Sequence, residues 1–528
     1  MKILLINPPY LSKPPKNVYF SISGYTIPHL GIGYIASYLQ EAGYDVTIVE
    51  CMRQGIDNKR ICQLIKNDSY KMIGISIYSG NQYNSIRILN LIKKNCPDSF
   101  VFFGGYTATL SYNNLLTNCS LLDCCVLGEG EQTTLELAKC LSKQIPINNV
   151  PGIAYREGNN VVVTEQRKLF DKLDMLPFPK RIFYSKRGEA TIVSSRGCLN
   201  QCSYCAINAY YKCTKGKKIR FRSAENIIDE INYMLTENPN IRAIGFYDDN
   251  FLANIPYNRE RIKLLLNLIK QYKLDYIDYY ITVCADDICK NSDLLRMFKE
   301  VGLKRVFVGI ESFVKRQLEY YRKNATVADN LRAIEILREM EIEVSIGFVP
   351  YDPYVTIDEI MENFRIVKRE NLVDMGGDID TPYSLCSALI AVSNTDFRKE
   401  LEKKGIFFRN DRGYFFINEN VEYFYELKKI WIDSIDDIVS RLFYLNIARE
   451  HDIDNYKILK QLKREFMMED INFLLDLCDF VKFEGAKERD VWENFLKKRL
   501  HRLTHIKEGF FDAEKRYEDL LNNEYYEF

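Results

Sequence analysis

The 528-residue sequence predicts an α/β fold in three parts. A doubly wound sheet covers 1–150, a partial barrel of βα units covers 188–394, and a helical domain covers 395–528, with 151–187 as a linker. Three observations carry this reading. Apolar runs of strand length alternate with amphipathic helical stretches over the first 150 residues. The alternation resumes after a cysteine-rich turn near residue 200. Beyond about 395 it stops, and aromatic residues recur at helical spacing.

The first part opens on the strand KILLINPP, ended by Pro8-Pro9. The helix HLGIGYIASYLQEAG closes at Gly43, and the strand DVTIVEC follows. ICQLIKN reads as a helix, MIGISIYS as a strand and SIRILNLIKKN as a helix. FVFFGGYTATL and LLDCCVLGEGE supply strand ends with glycine turns, and TTLELAKCLSK closes the unit. This order implies a Rossmann-like parallel sheet, in which ligands bind outside the carboxyl ends of the strands. The loops placed there are Asn7-Pro8-Pro9, Ser76 to Ser79, Gly104-Gly105 and Gly128-Glu129-Gly130-Glu131. No G-x-G-x-x-G follows the first strand, so no dinucleotide fingerprint is present. Turn geometry alone would also account for glycine in these loops.

In the second part RSAENIIDEINYMLTE is a helix capped by Ser223. IRAIGFYDDNF is a strand running into Asp248-Asp249, and ERIKLLLNLIKQYK is a helix. YIDYYITVCADDI is a strand and SDLLRMFKEVG a helix ending at Gly302. RVFVGIES is a strand ending in Glu311, NLRAIEILREME a helix, and EVSIGFVPYDP a strand stopped by prolines. Repeats of this kind imply a partial (β/α)6 TIM-like barrel with its chemistry at the carboxyl ends of the strands. The cysteine turn, Asp248-Asp249, Glu311 and Pro350 to Pro353 all fall there. The helical end, with YFYELKKIWIDSIDDIVSRLFYLNIARE its clearest run, is a cap on the barrel and a candidate wall of the substrate pocket. His501 and His505 share a helix face, but no HExxH glutamate accompanies them, so a surface pair is expected.

Three cysteines, Cys198, Cys202 and Cys205, lie in SSRGCLNQCSYCAIN, just after the β-rich TIVSS. The C-x3-C-x2-C spacing brings three thiolates into one small volume without an evident fourth ligand. Structural zinc sites and closed clusters take four ligands, so the spacing argues for a reactive [4Fe–4S] cluster with one open iron. A zinc knuckle completed by Cys213 is the competing reading. This run resembles the radical S-adenosylmethionine (radical SAM) superfamily. The resemblance implies that the open iron chelates the amino and carboxylate groups of S-adenosylmethionine. It also implies that an electron from the cluster cleaves the sulfonium to a 5′-deoxyadenosyl radical, with Tyr204 beside the adenine.

The first part is similar to the cobalamin-binding domain of one subgroup of that superfamily: Asn7-Pro8-Pro9, then Pro28, Leu30 and Gly31, then Gly104-Gly105 and the Gly128-Glu129 loop. The resemblance places Asn7, Ser76, Gly104, Gly105, Gly128 and Glu129 near the corrin. Tyr106 stands where histidine often follows the glycine pair, and a domain that keeps the fold without the corrin is the alternative. Asp248 and Asp249 resemble the segment that meets the ammonium of S-adenosylmethionine, with helix capping as the other role. Glu311 resembles a segment near the cofactor's ribose or methionine portion, or is a strand-end carboxylate. Family members often carry arginine where this chain has Cys284, so no role passes to Cys284.

Composition narrows the partners. Lysine plus arginine equals aspartate plus glutamate, 72 each, so no global field attracts nucleic acid or an anionic membrane. The basic stretch Lys212 to Arg222 lacks a stacking platform and reads as a solvated loop, with Arg220 and Arg222 structural. No apolar run reaches membrane-spanning length. The start is a strand rather than a signal peptide, and 15 cysteines suit a reducing, cytoplasmic setting. The resemblance implies a cobalamin-dependent radical SAM enzyme that methylates an unactivated carbon of a small molecule or peptide. Electrons would come from a reductase, flavodoxin or ferredoxin. Cyclisation, rearrangement or oxidation without methyl transfer is the alternative.

Overall fold

The computed structural model describes residues 1–9, 29–182, 188–372, 388–408, 410, 412–442, 444–483 and 489–524. The first sheet contains β1 (Lys2–Asn7), β2 (Asp45–Glu50), β3 (Tyr70–Ser76), β4 (Phe100–Gly104), β5 (Cys124–Val126), β6 (Ile153–Glu157) and β7 (Asn160–Val163). Their order is β2-β1-β3-β4-β5-β6-β7. The first five strands run parallel, and β6 and β7 add on antiparallel.

Strand residues face opposite sides in turn, and both sides are covered. Leu4, Ile6, Ile73, Ile75, Val101 and Phe103 enter one core. Ile3, Leu5, Met72 and Phe102 enter the other. The hairpin β6–β7 lies inside the stretch expected to be a linker, which therefore begins later than residue 151. In FVFFGGYTATL the strand ends at the Gly104-Gly105 turn, as expected, and helix Tyr106–Asn118 starts directly after it.

The second sheet is built from β8 (Glu189–Ile192), β11 (Ala243–Phe246), β12 (Asp278–Cys284), β13 (Leu303–Glu311) and β14 (Glu343–Phe348). All are parallel, in the order β14-β13-β12-β11-β8. The two-residue strands β9 (Ser195–Arg196) and β10 (Arg220–Phe221) pair separately. Five strands thus form the barrel wall among the described residues. Residues 373–387, where the chain leaves helix Ile357–Arg369, lie outside them. One face of the sheet packs Ile244, Phe246, Ile281, Val283, Val306 and Val308 against helices. On the other, Tyr280, Thr282 and Gly309 are half-buried and Phe307 is exposed. A parallel sheet left partly open on one face is a barrel with room inside.

The helical cap shares this core. Trp431 stacks on Phe473 at 3.9 Å. Tyr351, just past β14, sits among Phe416, Phe424 and Tyr425. The strand expected to continue through ADDI instead stops at Cys284, and Ala285–Lys290 is a helix.

Candidate functional site at the facing strand ends

The cysteine turn is pinned before its first thiol. Ser194 and Ser195 donate backbone N–H groups to Asp248 Oδ1 at 2.6 and 3.0 Å, and the Ser194 hydroxyl donates to Oδ2. Asp248 is buried, and burial pushes its carboxyl up against the pull of Arg261 and these donors. Its oxygens are therefore engaged within the protein. Gly197 follows with φ +95°, and a Cβ there would lie 1.8 Å from the Lys218 carbonyl, so only glycine fits. Its N–H donates to Asp249 Oδ2 at 3.0 Å. Burial raises the Asp249 carboxyl to about 6.

Cys198, Cys202 and Cys205 ride the next turn, and Cys205 caps helix Ala206–Lys212. Burial pushes the Cys202 thiol up to about 12 and raises Cys205, whose sulfur faces the N–H groups of Asn208 and Ile207. Ser203 stitches the turn to the barrel, donating to the carbonyls of Tyr321 and Tyr320 at 2.9 and 3.0 Å. Cys213 caps the far end of the same helix, about 12 Å along its axis at ~1.5 Å per residue. Its sulfur accepts from Asn394 instead.

Two residues that sequence reasoning passed over stand beside the thiols. Lys323 is 5 % exposed and faces Glu311 Oε1 at 3.4 Å. The charges of Cys202 and Cys284 act on it as well. Cys284, at the end of β12, is hydrogen-bonded to the Cys198 thiol. That bond holds the proton on Cys198 and eases ionisation of Cys284. Glu311 turns the chain with φ +64° and meets the Tyr204 hydroxyl. The only advance signal for Lys323 was its place two turns after a strand-end carboxylate.

The other rim belongs to the first sheet. A cavity of about 320 Å³ lies between the two sheets' carboxyl ends, within the usual range for ligand pockets. Ser76, Gly104, Gly105, Gly128 and Glu129 line it from one side, and Arg196, Tyr247 and Asp249 from the other. Asn7 is not among its walls; its carbonyl accepts from the Cys51 N–H at 3.1 Å. At Gly104 a Cβ would meet nothing within 4 Å, so any side chain there would project into open space. His29, a further wall residue, accepts from the Ile32 N–H through Nδ1. That leaves Nε2 to donate to Ser76 Oγ at 3.2 Å. Tyr106 packs edge-on to Tyr210 at 4.7 Å.

Glu129 has a different task from the one expected. Arg220 holds both its oxygens at 2.9 and 2.8 Å, and Arg196 approaches to 3.4 Å. Burial alone would raise this carboxyl, but the two guanidinium groups outweigh it and hold it low. Glu131 meets Arg196 at 2.7 Å. Two glutamates of the first sheet thus grip the arginine that precedes Gly197-Cys198. Lys215 to Lys218 are exposed, as expected of a solvated loop, whereas Arg220 is buried and Arg222 joins Arg181 on the buried Glu230. In the cap, His505 pairs with Glu465 at 3.0 Å on the surface.

Comparison with known proteins gives these rims an origin. Residues 192–367 match the radical SAM superfamily, and residues 17–138 match the B12 binding domain. An uncharacterised methyltransferase of Pyrococcus horikoshii is 27% identical over 390 residues, covering 72% of this chain and 81% of that protein. The anaerobic magnesium-protoporphyrin IX monomethyl ester cyclase of Synechocystis is 24% identical, with 65% of this chain and 67% of that protein covered. The structure of the cobalamin-dependent S-adenosylmethionine radical enzyme OxsB with aqua-cobalamin superposes with a TM-score of 0.75 at 19% identity. That likeness of fold covers 99% of this chain and 84% of OxsB. The two matched domains imply three cofactors: a [4Fe–4S] cluster with S-adenosylmethionine, and cobalamin.

The residues present fit both groups. A cluster held by three thiolates is anionic, and a buried ammonium such as Lys323 is the counter-charge such a group needs in a low dielectric. The first sheet's side offers Ser76, Gly105 and Gly128, open space at Gly104, and two acids, Glu129 and Glu131, already paired with arginine.

Proposed function

We propose, from the premise that this chain is a radical SAM enzyme with a B12-binding domain, that it methylates an unactivated carbon of a small-molecule or peptide substrate. One observation carries the reading: a single cavity is walled by the strand ends of both sheets, so a corrin and a cluster-bound sulfonium would face each other across it. When bound, the cluster supplies the electron that fragments the sulfonium and the corrin supplies the methyl carrier.

The protein's own residues hold, orient and shield. Cys198, Cys202 and Cys205 would hold the cluster. Asp249 and Glu311 would meet the ammonium of S-adenosylmethionine, Lys323 its carboxylate, and Tyr204 its adenine. Asp248 acts one step removed, by fixing the turn that carries the cysteines. Ser76, Gly104, Gly105 and Gly128 would line the corrin. Asn7 would reach it only through its buried Oδ1, which has no hydrogen-bond partner among the described residues. Glu129 would serve the corrin indirectly, through Arg196. Tyr106, Tyr210 and Tyr211 place aromatic surface on the cavity wall and limit water there.

The methyltransferase name of the Pyrococcus relative supports methyl transfer, and the cyclase name of the Synechocystis relative favours a second reading without it. Product analysis separates them. After anaerobic reconstitution with iron, sulfide and cobalamin, methyl transfer predicts S-adenosylhomocysteine together with 5′-deoxyadenosine. A cyclase-type reaction predicts 5′-deoxyadenosine alone. Iron without retained corrin would overturn both cobalamin-dependent readings. Electrons would arrive from a cytoplasmic reductase, flavodoxin or ferredoxin. No helix among the described residues is long and apolar enough to cross a membrane.

A further inference from the structure

Cys284 is the departure that the barrel does not explain by packing. It is the last residue of β12, paired with Gly309 in the neighbouring strand, so it sits at the barrel mouth with the other site residues. Its N–H donates to Asn250 Oδ1 at 3.2 Å, which fixes the backbone at the strand's end. Its sulfur accepts from Asn200 Nδ2 at 3.0 Å. The Oδ1 of the same amide accepts from Asn324 Nδ2 at 2.7 Å. Asn200 lies between Cys198 and Cys202, so the cysteine turn itself reaches across to hold the fourth thiol. The Asn200 N–H donates to Cys198 Sγ at 3.4 Å, so one residue of the turn holds both sulfurs. A side chain that only filled the barrel mouth would not need an oriented donor from the metal-binding turn.

We propose that Cys284 is the resting ligand of the cluster's open iron, bound when S-adenosylmethionine is absent and displaced when it arrives. The proposal rests on the cluster assignment to Cys198, Cys202 and Cys205. The exchange is balanced and involves no change of oxidation state. The iron–Sγ bond of Cys284 breaks, and bonds form to the amino nitrogen and a carboxylate oxygen of the incoming methionine end. The ammonium must lose a proton to bind iron, and the departing thiolate takes it. The resulting thiol has a place ready against the Asn200 amide. A strand-borne ligand is also rigid enough to return to one position once the product leaves.

The test uses the full chain, reconstituted anaerobically, as wild type, C284A, C284S and the C198A/C284A double variant. Two readouts apart from turnover decide it: the three-iron paramagnetic signal after mild oxidation, and the affinity for S-adenosylmethionine read from the change in the reduced cluster's spectrum. The wild type should keep its fourth iron on oxidation, whereas C284A should lose it. C284A should bind S-adenosylmethionine about tenfold more tightly, having no ligand to displace. C284S, with a poorer ligand of similar size, should fall between. C284A behaving as the wild type in both readouts overturns the proposal and leaves the cluster assignment intact. A four-iron cluster in the C198A/C284A double variant, or none in the wild type, overturns the assignment and the proposal together.

Discussion

The two rims of the central cavity are made of different materials. The first sheet ends in small neutral groups: Ser76, Gly104, Gly105 and Gly128, with His29 kept neutral by burial. The second offers Arg196 and Asp249 to the cavity, with Cys284 and Glu311 ending neighbouring strands of the same sheet and Lys323 paired to Glu311. One rim leaves room, and the other concentrates charge. A bulky macrocycle would be accommodated by omitting side chains, whereas the charged methionine end of S-adenosylmethionine would be held by placing them. Carboxylates sit on both sides of the join, yet Glu129 and Asp248 are consumed in bracing it.

The sharpest way to break this contrast is to damage each rim separately. Cys202→Ser should abolish iron incorporation and leave corrin retention near wild type. Gly104→Leu, entering open space without backbone strain, should abolish corrin retention and leave iron near wild type. Metal analysis and visible absorption on the same samples check both. If each substitution removes both cofactors, the rims are one site and the contrast fails.

Arg196→Met should harm both sides together. It strands Glu131 in a buried setting, and breaking one partner of a buried ion pair costs about 3 kcal/mol. Urea denaturation of the protein before reconstitution measures this directly. A cost under about 1 kcal/mol would mean that the domains are joined by other contacts.

A carboxylate remote from both rims provides the control. Asp470, fully buried in the cap, accepts from Trp431 Nε1 at 2.7 Å. Burial lifts it to about 6, against the opposing effects of Trp431 and Lys428. Its folded value lies above its unfolded one, so its contribution to stability is complete below about pH 4. That contribution is lost as pH rises through about 6. The wild type should lose about 2 kcal/mol across this window, and Asp470→Asn should flatten that slope without touching either cofactor. Thermal unfolding from pH 4 to pH 7 checks it.

Smallest is the effect of Lys323→Met. Removing a buried cation beside the thiolates disfavours the reduced, more negative cluster. The midpoint potential should fall by about 60 mV, equivalent to ~1.4 kcal/mol for one electron. A spectroscopic redox titration reads it, and an unchanged potential would assign Lys323 to Glu311 alone.

Periodicity made the architecture legible: both parallel sheets, the helical cap and the location of chemistry at strand ends follow from alternation, which depends on neighbours in sequence. The hairpin β6–β7 did not, because two short strands near a boundary carry little pattern. At the site, the cysteine spacing was readable because the three candidate ligands fall within eight residues. Partners distant in sequence were not. Nothing within the Gly128-Glu129-Gly130-Glu131 loop announces that its acids meet Arg196 and Arg220, some 65 to 91 residues away. Lys323 and Cys284 were hidden for the same reason: each acquires meaning only from what the fold sets beside it.

The grip of Glu129 and Glu131 on Arg196 has a mechanical consequence. The held arginine is two residues from Cys198, across a glycine with no spare conformational room. Any hinge motion between the halves would tug on the thiol frame. Passage of reactants that spares these ion pairs would leave the thiol frame undisturbed.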